Sequence, residues 1–185
     1  MKILLLLLLP LAIPAFAQPP HHHHHHHQPG HGHDHGAGGH TPYTGLEERR
    51  IKALSEQEIE DLHAGRGMAM ALAAELNGYP GPLHTLELAR ELELTPEQEQ
   101  QTRQLFAEMQ EEAGRLGQEL VDAEEVLDRL FRERAATPDS VLKASMDAAE
   151  LRGRLRATHL LYHLEMIDVL STEQVERYNS LRGYR

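Results

Sequence analysis

Histidine is the side chain in this protein best suited to chemistry, and it is distributed in two different ways. Eleven of the fifteen histidines lie within residues 18–45: His21, His22, His23, His24, His25, His26 and His27 in one run, then His31, His33, His35 and His40 among Pro and Gly. Neutral imidazole is the commonest side-chain ligand for borderline metals, and such a run can assemble several sets of two to four nitrogens. The segment has no hydrophobic periodicity and too little apolar surface to form a core. It therefore reads as a disordered, metal-capturing tail of low selectivity. Imidazoles titrating near about 6.5 gain charge and release metal as pH falls. The run is internal and continues into Gly30-His31-Gly32-His33-Asp34-His35, which argues against a purification tag.

His159 and His163 are a different case. Four residues apart on a predicted helix, they share one face, the spacing by which a single helix offers two metal ligands. Both lean toward the apolar side, so ordinary core histidines are the competing reading. The intervening Leu160, Leu161 and Tyr162 do not make the H-E-x-x-H pattern of a metalloprotease. His63 and His84, taken singly, read as structural. Met68 and Met70, two apart, would point to different faces of a helix and read as packing rather than copper(I) ligands. Gly65 and Gly67 lack the third glycine and the preceding strand of a phosphate loop, so they read as a kink or a close contact. The chain has no cysteine, which excludes disulfides and thiolate sites and leaves His, carboxylates, Met or water to hold a metal. Nothing brings Ser145, His159 and Asp168 into a nucleophile–base arrangement, and no enzymatic activity is expected.

The elements that must position these residues are helices. Leu94-Thr95-Pro96-Glu97-Gln98 and Leu170-Ser171-Thr172-Glu173-Gln174 are both helix starts, each with a capping box, and Leu54-Ser55-Glu56-Gln57-Glu58 is a weaker third copy. A first helix is predicted over about 56–77, with Ile59, Leu62, Met70, Ala73 and Leu76 on its apolar side. Asn77-Gly78 stops it, Tyr79-Pro80-Gly81-Pro82 turns, and a short helix covers about 83–92. From Pro96 to about Arg134 runs one helix of roughly 58 Å. Its seam is narrow: Leu105, Met109, Ala113, Leu116, Leu120, Ala123, Leu127 and Leu130. Thr137-Pro138-Asp139 starts the return helix, about 138–170, which must run antiparallel because the connection is short. Beyond Leu155 it is apolar nearly all round and is expected to be covered on several sides. A last helix spans about 172–182.

Lys2, the apolar run Ile3 to Ile13 and Ala15-Phe16-Ala17 read as a secretory signal over 1–17, cut between Ala17 and Gln18. The run is short for a membrane span and is broken by Pro10; with no later apolar stretch, no stable membrane insertion is expected after cleavage. The expected organisation is therefore a signal peptide (1–17), a disordered His-rich metal-binding tail (18–45) and a helical domain (46–185). Removing 1–17 takes away only Lys2 among the charges, moving the formal charge from −11 to −12. An acidic chain is a poor partner for nucleic acid. With 4% aromatics and no Trp, the composition suits long helices packed along narrow seams.

Two Leu-[Ser/Thr]-x-x-Gln copies flanking a long helical hairpin behind an export signal resemble the Spy/CpxP family, also called the LTxxQ-motif family, over roughly residues 46–183. The phrase Asn77-Gly78-Tyr79-Pro80-Gly81-Pro82 looks like its periplasmic heavy-metal-sensor branch, related to ZraP. The resemblance implies an all-α, long antiparallel hairpin with shorter flanking helices, a periplasmic location and a homodimer. It also implies a site in the helical domain built from His, carboxylate and sometimes Met ligands on different helices. His159 and His163 would match the late-helix part, with Met166, His63 or His84 nearby; no early-helix histidine pair matches. The function so implied is zinc, nickel, cobalt or copper binding in a heavy-metal and envelope stress response, with an envelope sensor protein as partner. The alternative is an ATP-independent periplasmic chaperone holding unfolded clients.

Overall fold

The computed structural model describes residues 42–184, so the signal segment and all eleven tail histidines lie outside the described residues. After a single 3-10 turn at Leu46–Glu48 the chain forms α1 (Glu56–His63), α2 (Leu72–Glu75), α3 (Pro82–Glu87), α4 (Pro96–Arg132), α5 (Pro138–Val169) and α6 (Thr172–Arg182). There is no strand among the described residues, and the all-α expectation stands.

The helix starts follow from side-chain chemistry. Ser55, Thr95, Thr137 and Ser171 each accept the backbone N–H three residues on, and the third residue reaches back to the cap's own N–H. The two glutamine-bearing boxes do more than cap. Gln98 Nε2 donates to Gln174 Oε1 at 2.8 Å, and Gln174 Nε2 donates to Gln98 Oε1 at 3.0 Å. Each Nε2 also donates to a backbone carbonyl, Gln98 to Val169 and Gln174 to Leu92. Each Oε1 also accepts its own cap N–H. The two amides thus satisfy one another and clamp the start of α6 to the start of α4.

α4 and α5 form the hairpin, joined through 133–137, with Gln98 meeting Val169 at one end and Glu124 paired with Arg152 further along. The seam holds Met109, Ala113, Leu116 and Leu120 on α4, and Ala148 and Leu155 on α5. α1 packs across α4 through Ile59 and Leu62, which join Ile51 and Leu54 against Ala113, Leu116 and Val121. That approach requires Gly117, where a Cβ would collide with the Leu62 carbonyl.

Two expectations are corrected. The first helix does not run from 56 to 77. It stops at His63, where Gly65 takes a left-handed conformation (φ 64°) and Arg66 N–H bonds the Asp61 carbonyl, a glycine-terminated helix end. Met68 and Ala69 then hold positive φ of 43° and 60° before the short α2 begins. Because α2 is a separate helix with its own orientation, Ala73 and Leu76 face solvent and Glu75 is buried. Likewise, late α5 is not covered on several sides by this chain itself. Met166, Val169 and Leu170 are buried, whereas Leu161 and Leu164 are more than half exposed. Among the described residues no helix is long and apolar enough to cross a membrane.

Candidate functional site

The break between α1 and α2 opens a cavity of about 510 Å³ against the hairpin. The loop from Gly65 to Ala69, α2, the start of α3, and the facing sides of α4 and α5 enclose it. His159 and His163 both line it, as do Glu75 and His84. Met68, Leu72, Leu83, Phe106 and Met109 supply apolar wall.

Glu75 organises the polar end. Its Oε1 accepts the Tyr178 hydroxyl at 2.5 Å and lies 3.2 Å from His84 Nδ1 and 3.5 Å from Arg182 Nε. Its Oε2 lies 3.7 Å from His163 Nδ1 and has no hydrogen-bond partner. Burial pushes the Glu75 carboxyl up, but hydrogen bonds from His84 and Tyr178 outweigh it, with help from charge on His84 and His163. The net result is a carboxyl held below the ordinary glutamate value. Burial pushes the Tyr178 phenol up, and the neighbouring Glu75 carboxylate adds to that shift.

The imidazoles are oriented by what their Nδ1 atoms touch. His163 Nδ1 is 2.8 Å from the Tyr79 carbonyl, which can only accept, so Nδ1 carries the proton. His84 Nδ1 faces the Glu75 carboxylate and donates for the same reason. In the neutral form both rings therefore keep their lone pair on Nε2, the arrangement by which a carbonyl or carboxylate prepares a histidine to bind metal. His159 is 2% exposed and its Nε2 has no partner. Burial lowers its pKa, and the neighbouring His163 adds to the shift, so its ring stays neutral and able to coordinate.

The donor chemistry fits a borderline or soft metal, because three imidazoles line one cavity and two of them have their Nδ1 anchored. Among the described residues, however, no three His, Asp or Glu side chains stand close enough together to hold an ion as they are. Side-chain rotation or a different kind of donor has to complete any set.

No protein-family model, curated protein or solved structure matches the chain.

Of the residues singled out in the sequence, His159 and His163 are brought to the cavity and His84 joins them. His63 is exposed at the end of α1, and Met166 packs with Val169 and Leu170 instead; neither lines the cavity. The tail histidines lie outside the described residues. Sequence reasoning missed Glu75, Tyr178 and Gly81. Glu75 did carry a signal: it is the sole Asp, Glu, Lys or Arg between Arg66 and Glu87, embedded in Ala and Leu.

Proposed function

We propose that the protein is an exported metal-binding protein of a heavy-metal or envelope stress response. The His-rich segment captures zinc, nickel, cobalt or copper, and the helical body takes metal at the cavity lined by His84, His159 and His163. One observation carries the reading: His159 has a buried, unpartnered Nε2 in the same cavity to which His163, its Nδ1 tied to the Tyr79 carbonyl, presents a prepared ring. A ring nitrogen left unpartnered in a protein interior costs about 1–3 kcal/mol, and a metal bound to it in the tautomer with its lone pair there removes that cost. Membership of the Spy/CpxP family, a homodimer and an envelope sensor as partner belong to the same proposal, supported by the paired Leu-[Ser/Thr]-x-x-Gln boxes.

The test is calorimetric titration with zinc, nickel and copper of the chain from Gln18 beside one beginning at Thr41, since the described residues 42–184 belong to one compact unit. The shorter chain should keep a stoichiometric site that His159→Ala and His163→Ala together abolish. Loss of all binding with the tail would mean that the body does not bind metal.

A second reading, an ATP-independent chaperone, is favoured by the exposed Leu161, Leu164 and Ile167 on α5 and by Phe131, Leu142 and Met146 near the hairpin tip. Apolar residues left in solvent are the chemistry that captures unfolded clients. The double histidine variant separates the two readings, because it should still slow aggregation of an unfolded client if the exposed residues do that work.

A further inference from the structure

The cavity contains two thioethers that the metal reading has not used. Met109 is buried on α4, and the register of the hairpin sets it beside His159. Gln98 on α4 meets Val169 on α5, and Met109 lies eleven residues on from Gln98 while His159 lies ten back from Val169. Met68 lines the same cavity from the loop between α1 and α2, at the left-handed pair Met68–Ala69. Met68 therefore does not sit on a helix with Met70, and the helix-face argument against its acting as a ligand no longer applies.

We propose that this cavity is a monovalent copper site, in which the Met68 and Met109 thioethers join the His159 and His163 imidazoles. The inference rests on the reading of the body as a metal binder and adds the identity of the ion. Two observations carry it. His159 is 2% exposed with its Nε2 unpartnered, so a ligand atom is already desolvated at the wall. Among the described residues no trio of His, Asp and Glu converges here, so the set a divalent ion would want is not assembled, whereas thioethers with imidazoles are a donor set that selects the soft copper(I) ion.

The experiment uses the full chain with carbon-13 at the methionine methyls, titrated anaerobically with copper(I) and, separately, with zinc(II). The probe reports only on methionine, so metal held by the tail histidines does not mimic the signal. Copper(I) should shift two methyl resonances, assigned through Met68→Leu and Met109→Leu, and leave exposed Met146 in place. Leucine conserves volume at these positions, and a retained circular-dichroism melt will show that the fold is intact. In competition with a chromophoric copper(I) chelator, the double leucine variant should lose its tightest copper class by more than the about 10- to 100-fold that removing an outer partner of a metal ligand costs. Zinc binding should be unchanged. Copper(I) uptake with neither methyl moving overturns the inference, and the metal reading still stands if zinc perturbs the ring protons of His159 and His163. If neither metal perturbs those rings or the methyls, both the inference and the metal reading of the body fail.

Discussion

Gly81 shows how much of the site depends on a missing atom. Its backbone φ of −91° suits any residue, so glycine is not needed for conformation. It is needed for space: a Cβ there would stand 2.7 Å from His163 Cε1, 2.9 Å from Nε2 and 3.4 Å from Glu75 Oε2. Pro80 and Pro82 flank it and stiffen the segment, so the imidazole has to move rather than the chain. Gly81→Ala should push His163 off the Tyr79 carbonyl, costing about 1–3 kcal/mol as an overpacked contact does. It should also weaken metal uptake by the body about 10- to 100-fold. Thermal melts and zinc titration of the variant measure the two effects separately. An unchanged affinity would remove His163 from the ligand set. At this scale the sequence revealed the pair at 159 and 163, because helical spacing alone puts them on one face. It did not reveal Glu75 or Gly81, whose roles exist only once α2, α3 and α5 meet.

Among the elements, starts were easier to read than stops. All four reciprocal caps lie at a Ser or Thr whose chemistry is visible in the chain. The stops at Gly65, Gly78 and Gly183 use the residue that tolerates positive φ. The turn that follows α3, at Glu93, and the stop of α4, at Arg134, place ordinary side chains at φ 53° and 56°, closed by Leu94 N–H to the Ala89 carbonyl and Ala135 N–H to the Leu130 carbonyl. No residue type announces them, because only the closing backbone hydrogen bonds mark these turns. The break at Gly65 shows the same limit, since the apolar pattern carries on past it to Leu76 while the backbone turns. The repeated motif gains meaning only at this level, where Gln98 and Gln174 bind each other. Gln98→Ala and Gln174→Ala should each destabilise the fold by about 1–2 kcal/mol through lost, half-buried hydrogen bonds. Together they should cost less than the sum by about 1 kcal/mol, because each removes the other's partner. Urea denaturation of the four-member cycle measures this, and strict additivity would show that the two amides stabilise their own helices independently.

For the whole molecule, the all-α class and the long antiparallel hairpin were legible because a narrow seam at steps of three and four permits little else. The exposure of late α5 was not, since apolar content cannot say how many neighbours a single chain provides. The cavity also belongs to this scale, and it makes stability depend on pH through two buried groups with opposite formal chemistry. His159 is a base whose folded pKa lies below the ordinary 6.5 because burial disfavours its charged form. Between the two values the unfolded chain binds more protons, so the contribution is complete above about 6.5 and declines as pH falls below it. Glu75 is an acid held below the ordinary 4.5 by the His84 and Tyr178 hydrogen bonds, which outweigh its burial. Its contribution is complete above about 4.5 and is lost as pH falls further, through its folded value. Metal-free protein should therefore weaken in two stages on acidification, one starting below about 6.5 and one below about 4.5. Urea midpoints followed from about pH 8 to about pH 3 should resolve them. His159→Gln should flatten the first stage and leave the second, whereas Glu75→Gln should flatten the second and lower stability already at neutral pH. There the variant strips the Tyr178 hydroxyl and Arg182 of their carboxylate. A first stage that survives His159→Gln unchanged would mean that the ring already takes its proton in the fold, and its buried Nε2 would then be no waiting ligand.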